Sequence, residues 1–408
     1  MMHRPAIIAA GIAALASATA VQAQMAPEAV AALQEPVAVE RKNNVETIPL
    51  VPHMGKFAIQ AALNGHARSF VFDTGSPTLI SRDFADELNL TVIGSNTGRD
   101  ANGRAVTTEI AVVEQLTIGG LTFSNVPVLI ADFNLSDPDG CFFDGGVIGS
   151  EIFPGSVWHI DGEAQTMQIA GNIEDISGLE YTTAVAVTQL HLGSYPYAPV
   201  FDYAFGAFED RALFDTGNSD TLVLFDQVIQ DRRIQRSIVS DSLHKGRGSH
   251  GVSAGGMGSA NDLLRFEVEN LKVGSLLPPL SATTRNAPPS LIGLGILDRY
   301  NVTLDYPGER LLLSERAAPA IRAEHPGYAI MVVEGAARVV QLFEGSSAQR
   351  AGLELGDEVI AIDGHSLLGR EEPCNVVQWL VEEHPTSSAE KVTVVRNGQS
   401  VVLSLGHE

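Results

Sequence analysis

The sequence is short of cysteine, of basic residues and of long apolar runs. Two cysteines in 408 residues exclude a disulfide-rich scaffold, so stability has to come from hydrophobic cores. With 26 Lys and Arg against 49 Asp and Glu, the net charge is −23. A surface this acidic is poorly suited to neutralising phosphates, so we predict no nucleic-acid partner. Because Cys141 and Cys374 lie far apart and in different predicted domains, two unpaired thiols are favoured over a bridge.

The only long apolar run is at the N terminus. A basic start at Met1–Arg4, the apolar stretch Pro5–Ala20 and the small-residue site ending at Ala23 predict a signal peptide over residues 1–23. An uncleaved membrane anchor is the alternative. No later run is long enough to predict a membrane span. We therefore expect an exported chain, periplasmic or secreted, without a transmembrane segment once the signal is removed.

The rest of the chain predicts two or three domains. Residues 24–47 lack a sustained apolar period and predict a flexible leader. From Ile48 onward, short apolar runs broken by turn pairs such as Asn64-Gly65 are typical of a mainly β fold. The predicted boundaries are an N-terminal lobe at 48–178, a C-terminal lobe at 179–315, a linker at 316–326 and a C-terminal domain at 327–408.

The most informative feature is an internal repeat. Residues 68–76 and 210–218 each place an apolar strand directly before Asp-Thr-Gly. At nearly equal distances, each copy is followed by two apolar residues and a glycine, in Val147-Ile148-Gly149 and Leu291-Ile292-Gly293. A third matching pair, 152–161 and 296–305, follows in the same order. Three ordered matches at similar spacing indicate that one unit has been duplicated.

The repeated Asp-Thr-Gly suggests a definite chemistry. Each aspartate, Asp73 or Asp215, sits in a tight turn after a buried strand, and two-fold symmetry would bring the two carboxylates together. Adjacent carboxylates cannot both ionise, so the pair shares one proton. The ionised member can activate a water while the protonated member donates to a scissile carbonyl oxygen. This predicts peptide hydrolysis without a metal, a cofactor or a covalent intermediate.

At these residues the chain resembles the pepsin/retropepsin-like aspartic proteases, and among them the single-chain bacterial retropepsin-like proteins more than pepsin. The resemblance implies a bilobal acid protease fold of two pseudo-symmetric β lobes and an aspartic-type endopeptidase acting on polypeptides. It assigns catalysis to Asp73 and Asp215, and the active-site loops to Thr74, Gly75, Ser76, Thr216, Gly217 and Asn218. Asn218 departs from the Ser or Thr usual at its position.

The resemblance also implies a flap over the cleft. The candidate is a hairpin with Asn102 and Gly103 at its turn, which lacks the tyrosine of the pepsin flap. A symmetry-related flap is predicted in the Gly-rich segment 245–258. The alternative is that both segments are only mobile loops.

The C-terminal segment carries a second resemblance. Residues 345–364 predict a short helix and then a strand ending in an Asp-Gly turn, Asn397-Gly398 predicts a closing hairpin, and Pro373–Glu383 predicts a second helix. The sequence pattern of residues 345–364 resembles that of a PDZ domain, which is a small β-barrel or sandwich with two helices. It implies a peptide or C-terminal ligand added as a strand at the loop Gly327, Tyr328, Ala329 and Ile330.

Two alternatives remain open from the sequence. The C-terminal domain can instead be a docking module that packs on the protease body or on another protein, because its loop lacks the second glycine of the familiar PDZ loop. The chain as a whole can be a non-catalytic peptide-binding protein, in which a protease-like cleft and the PDZ domain hold extended segments without cutting them.

Overall fold

The computed structural model describes residues 26–177, 186–191, 197–320, 325–368, 373–383 and 389–405. The predicted signal peptide at 1–23, residues 178–185 at the predicted lobe boundary and residues 321–324 of the predicted linker lie outside the described residues. The described chain is mainly β, which confirms that prediction. Within these ranges, no helix is both long and apolar enough to cross a membrane.

The N-terminal lobe is built around a nine-stranded sheet, in which β10 lies between β5 and β6 and runs parallel to β5. This pairing places the Val-Ile-Gly motif directly behind the strand that leads to Asp73. Its elements are α1 Pro27–Gln34, α2 Arg82–Glu87, β1 Ala38–Arg41, β3 Val51–His53, β4 Lys56–Leu63, β5 His66–Phe72, β6 Leu79–Ser81, β7 Gly94–Arg99, β8 Ala105–Ile118, β9 Leu121–Ala131 and β10 Gly146–Ile148.

The C-terminal lobe repeats this arrangement. Strand β24 runs parallel to β15 and places Gly293 opposite Asp215, as β10 does beside β5. The structure thus shows the same local arrangement at both copies of the sequence repeat. The lobe contains α3 Arg232–Gln235, β14 Val200–Phe205, β15 Phe208–Asp215, β16 Leu222–Phe225, β17 His244–Gly248, β18 Val252–Ser253, β19 Gly256–Met257, β20 Asn261–Val268, β21 Leu271–Val273, β22 Ser275–Leu276, β23 Leu280–Arg285 and β24 Ser290–Gly293.

A six-stranded sheet joins the two halves of the repeat. Its order is β13-β26-β25-β11-β12-β2, and β11 pairs antiparallel with β25 so that Trp158 faces Leu304. The last matching segments of the two copies are therefore direct neighbours. The strands are β2 Val45–Pro49, β11 Val157–Asp161, β12 Thr166–Ala170, β13 Ala186–Gln189, β25 Tyr300–Asp305 and β26 Arg310–Glu315.

The predicted flexible leader, 24–47, is instead part of the fold where it is described. Helix α1 begins at Pro27 and buries Ala29, β1 pairs with β9, and β2 is an edge strand of the six-stranded sheet. Edge strands are held largely by backbone hydrogen bonds and need only a weak apolar pattern. The segment therefore lacks the apolar periodicity from which its helix and strands could have been predicted.

The C-terminal domain has a hydrophobic core of its own, which includes Val339, Ala348 and Val392. Its strand β28 pairs with β17, so its sheet continues the sheet of the C-terminal lobe. The domain contains β27 Tyr328–Val333, β28 Ala336–Phe343, α4 Ser347–Arg350, β29 Glu358–Ile362, β30 His365–Ser366, α5 Pro373–Gln378 followed by a π-helical turn at Trp379–Glu383, β31 Lys391–Arg396 and β32 Gln399–Ser404.

Cys141 and Cys374 form a disulfide, so the prediction of two unpaired thiols is wrong. Helix α5 packs against the N-terminal lobe, where Met54, Cys141 and Val377 share one apolar cluster. The Met54 N–H donates to Glu382 Oε1 at 2.7 Å beside it. The two cysteines are brought together because the C-terminal domain packs on the N-terminal lobe, and neither their separation in sequence nor their assignment to different domains predicted this contact.

Candidate active site

Asp73 and Asp215 stand at equivalent places in the two lobes, Asp73 directly after β5 and Asp215 at the end of β15. The preceding Phe72 and Phe214 are buried in the common core, which anchors both strands. The Asp73 N–H donates to the Ile148 carbonyl at 3.0 Å, so the Val-Ile-Gly segment fixes the start of the loop.

Thr74 and Thr216 lock the two loops together. Thr74 Oγ1 donates to the Phe214 carbonyl at 2.6 Å and accepts from the Thr216 N–H at 3.0 Å. Thr216 Oγ1 donates to the Phe72 carbonyl at 2.7 Å and accepts from the Thr74 N–H at 3.0 Å. All four bonds are buried, and each contributes about 1 kcal/mol to stability. This symmetric set fixes the relative position of the neighbouring aspartates.

Gly75 and Gly217 let each loop approach the carboxylate of the other. The Gly75 N–H donates to Asp73 Oδ1 and the Gly217 N–H to Asp215 Oδ1, both at 2.9 Å. A Cβ on Gly75 would lie 2.6 Å from Asp215 Oδ1, and one on Gly217 would overlap the Asp73 carboxylate. Any side chain at either position would therefore push the two carboxylates apart.

The electrostatics of the pair favour a shared proton. Burial and then the adjacent Asp215 raise the pKa of the Asp73 carboxyl above its ordinary value. Two carboxylates in such proximity titrate as one unit, and repulsion prevents both from being ionised at mildly acidic pH. The arrangement can therefore present one acid and one base to a bound substrate.

Two cationic side chains near the pair were not predicted from the sequence. Lys56 Nζ donates to Ser219 Oγ at 2.8 Å, and Arg285 Nη2 donates to the Ala101 carbonyl at 3.0 Å. Burial lowers the pKa of each, and the charge of Asp215 acts in the opposite direction on both. Neither lies in a recognisable motif, so local sequence offered no signal. Among the described residues, no group of three or more His, Cys, Asp or Glu could hold a metal ion.

Glu151 supports the Asp73 loop and was not predicted from the sequence. It is 2% exposed and accepts from the Thr78 N–H at 2.7 Å and from Thr78 Oγ1 at 3.0 Å, which ties down the far end of the Asp73 loop. Burial raises the pKa of Glu151 to about 7. The available signal was an acidic residue between two apolar segments, 147–148 and 152–153.

Ser76 and Asn218, the fourth residues of the two loops, bond to the backbone. Ser76 Oγ donates to the Pro77 carbonyl at 2.8 Å, and Asn218 Oδ1 accepts from the Asp220 N–H at 2.9 Å. The Asn218 carbonyl accepts from the Leu294 N–H at 2.7 Å, beside Gly293. Asn218 thus shapes its own loop and links it to the segment behind it.

Both predicted flap segments lie against each other. The turn Asp100–Arg104 of the β7–β8 hairpin meets residues 249–258, which connect β17 to β20. Asn102 Nδ2 donates to Ser253 Oγ at 2.9 Å and to the Gly251 carbonyl at 3.2 Å, and the Gly255 N–H donates to Asp100 Oδ2 at 2.9 Å. Gly103 adopts a φ of +77° that closes the turn.

The predicted peptide loop of the C-terminal domain packs within its own domain. Gly327 has a φ of +78°, and a Cβ there would overlap Ser346. Tyr328 and Ile330 point into the core of this domain, and Ala329 is half-buried. Tyr328, Ala329 and Ile330 are the first residues of strand β27, which contacts α5, so most of the predicted loop is strand.

Part of the N-terminal lobe matches one known family model. Residues 59–152 match the family model described as aspartyl protease, and this stretch contains Asp73 and Gly149. Among solved structures, the crystal structure of an aspartic proteinase from Irpex lacteus is similar at 12% identity and a TM-score of 0.40, over 67% of this chain and 98% of that chain. Among curated proteins, none matches this chain. The region around Asp73 therefore has the sequence pattern of an aspartyl protease domain.

Proposed function

We propose that the protein is an exported aspartic endopeptidase that cuts polypeptides with a water activated by Asp73 and Asp215. The observation that carries the proposal is the symmetric set of Thr74 and Thr216 hydrogen bonds, which holds two carboxyl groups on facing loops. The match of residues 59–152 to aspartyl proteases supports it.

The chemistry follows from the shared proton. The ionised carboxylate removes a proton from water as the oxygen attacks the scissile carbonyl, and the protonated carboxyl donates to the carbonyl oxygen. The carboxyl that took the proton from water then gives it to the leaving nitrogen, and the C–N bond breaks. A hydroxyl of the intermediate returns its proton to the other carboxylate, which restores the singly protonated pair. The two flap segments would cover the substrate and exclude bulk water during these transfers.

For the C-terminal domain, the proposal is that it binds extended polypeptide segments as a PDZ domain does. Strand β27 pairs with β28 and lies beside α5, the arrangement in which a PDZ domain takes up an extended segment.

The proposal of export rests on residues 1–23 and is supported by the disulfide between Cys141 and Cys374, because such bonds persist in oxidising compartments. It predicts that the purified mature chain, beginning at Gln24, carries this disulfide. Mass analysis with and without a reductant would test the bond directly.

A peptide library digested by the wild type, Asp73→Asn and Asp215→Asn tests the catalytic proposal. We expect each variant to lose roughly 10³-fold or more in kcat because the acid–base pair is broken. The exposed Asp83 on α2 provides the matched control, since Asp83→Asn makes the same chemical change at the surface. A wild type that binds extended peptides but cuts nothing from acidic to neutral pH and binds no statine-type inhibitor would establish the non-catalytic peptide-binding alternative.

A further inference from the structure

The flap segment of the C-terminal lobe, residues 249–258, is carried by a hairpin that has two sheet neighbours. Strand β17 pairs with β20 of its own lobe and with β28 of the C-terminal domain. The Glu344 N–H donates to the Lys245 carbonyl at 2.7 Å, and the Ser249 N–H donates to the Val340 carbonyl at 2.9 Å. Gln341 Nε2 adds a bond to the Ser249 carbonyl at 2.7 Å. The base of this flap therefore belongs to two domains.

The tip of the same flap reaches the other lobe. Residues 249–258 bond to the side chains of Asp100 and Asn102, and Arg104 Nη1 donates to the Gly255 carbonyl at 2.9 Å. These are polar contacts between loops, which exchange readily with water and hold the tip weakly by themselves. The position of the tip consequently depends on how firmly its base is held.

The C-terminal domain is in turn fixed to the N-terminal lobe. The disulfide joins Cys374 on α5 to Cys141, and Val381 packs on Gly55. The Gly55 carbonyl accepts from Ser219 Oγ at 3.1 Å, the hydroxyl that also contacts Lys56. The domain is thus tied covalently to one lobe and paired by β28 with the flap hairpin of the other.

We propose that the C-terminal domain is a positioning element of the catalytic unit: through β28 it holds the flap 249–258 over the cleft, and the Cys141–Cys374 bond keeps it in place. This rests on the proposed function, because a flap has a role only if the cleft takes a substrate. It differs from substrate recruitment, which requires only that the domain bind polypeptide and not that it contact a flap.

The first test measures the flap itself and needs no activity. In the double variant Cys141→Ser/Cys374→Ser, amide hydrogen exchange over residues 246–258 should be at least ten-fold faster than in the wild type. Dithiothreitol should produce the same acceleration in the wild type and none in the double variant, which serves as the control for other effects of the reductant. Unchanged exchange of these amides in the double variant would overturn the proposal.

The second test leaves the disulfide intact. Glu344→Pro removes the N–H that bonds to Lys245, whereas Glu344→Ala keeps it and changes only an exposed side chain. With a peptide too short to reach the C-terminal domain, Glu344→Pro should raise KM several-fold with kcat little changed, and Glu344→Ala should match the wild type. Equal KM values for two folded variants would contradict flap positioning.

The two tests separate this inference from the proposed function. If the wild type cuts no peptide, the endopeptidase proposal fails while the exchange measurement still decides whether β28 and the disulfide position the flap. If Glu344→Pro does not fold, the exchange data from the double serine variant decide the question alone.

Discussion

Lys56 is a cationic residue that acts on the electrostatics of the aspartate pair from the edge of the site. It begins β4 in the N-terminal lobe, bonds to Ser219 of the other lobe, and its charge lowers the pKa of Asp73 against the effects of burial and of Asp215. Loss of this charge removes a stabilising influence on the ionised carboxylate. The residue therefore helps to set the pH range in which the pair holds one proton.

We predict that Lys56→Gln moves both limbs of the pH profile of kcat/KM to higher pH, because the pair then gives up its protons less readily. Lys56→Arg keeps the positive charge and should restore the wild-type profile. Peptide hydrolysis measured across pH for the three proteins checks this. Superimposable profiles for the Gln and Arg variants would show that the charge of Lys56 has no effect on the pair.

Residue-scale prediction from sequence depends on whether the partners are local. Asp73 and Asp215 could be assigned because the neighbouring Thr-Gly determines the geometry of each loop. Lys56 could not, since its partner Ser219 is on the other lobe and only folding brings them together. Glu151 lies close to Gly149, but its importance depends on complete burial beneath Thr78, which a sequence pattern does not show.

At the scale of elements, the leader gives the clearest contrast. The strands around each Asp-Thr-Gly follow from buried apolar runs, whereas β1 alternates between exposed and half-buried positions and includes Glu40 and Arg41. Its pairing with β9 relies on backbone groups. Helix α1 has only Ala29 fully buried, so its amphipathic signal is weak.

We predict that α1 contributes to stability through that one contact. Ala29→Asp places a charge against Gly94 and should lower the free energy of unfolding by about 2 kcal/mol. Ala31→Asp, on the exposed side of the same helix, has a helix-propensity cost of about 0.7 kcal/mol and should lower stability by less than about 1 kcal/mol. Urea denaturation compares them. Equal values would mean that α1 is not packed on the lobe in solution.

At the scale of the whole molecule, sequence predicted the number of units better than their docking. The Asp-Thr-Gly repeat and the sequence pattern of residues 345–364 each indicate a folding unit from residues that are close together in the sequence. The units contact each other through single strands and single residues. Strand β17 pairs with β28 of another domain, and Cys141 bonds to Cys374, 233 residues further along the chain. Such contacts depend on how well the surfaces of the folded domains fit each other, and they produce no periodic pattern in the sequence.

The whole molecule should also lose stability as the pH rises through the mildly acidic range. Burial raises the pKa of both Asp73 and Glu151, the latter to about 7. At a pH between the ordinary carboxyl pKa and these raised pKa values, the two groups keep their protons in the folded chain and lose them in the unfolded chain. This contribution is fully present below about pH 4 and is lost as the pH rises through about 7. The net charge of −23 acts in the same direction through self-repulsion.

Glu151→Gln separates the buried carboxyl from the general charge effect. The glutamine oxygen can still accept from the Thr78 N–H but does not titrate, so the fall in Tm between pH 5 and pH 8 should be smaller than in the wild type. Glu114→Gln changes the net charge equally at an exposed position and should leave the fall nearly unchanged. If both variants fall by the same amount, the pH dependence arises from net charge, and Glu151 does not titrate in the folded protein as its burial requires.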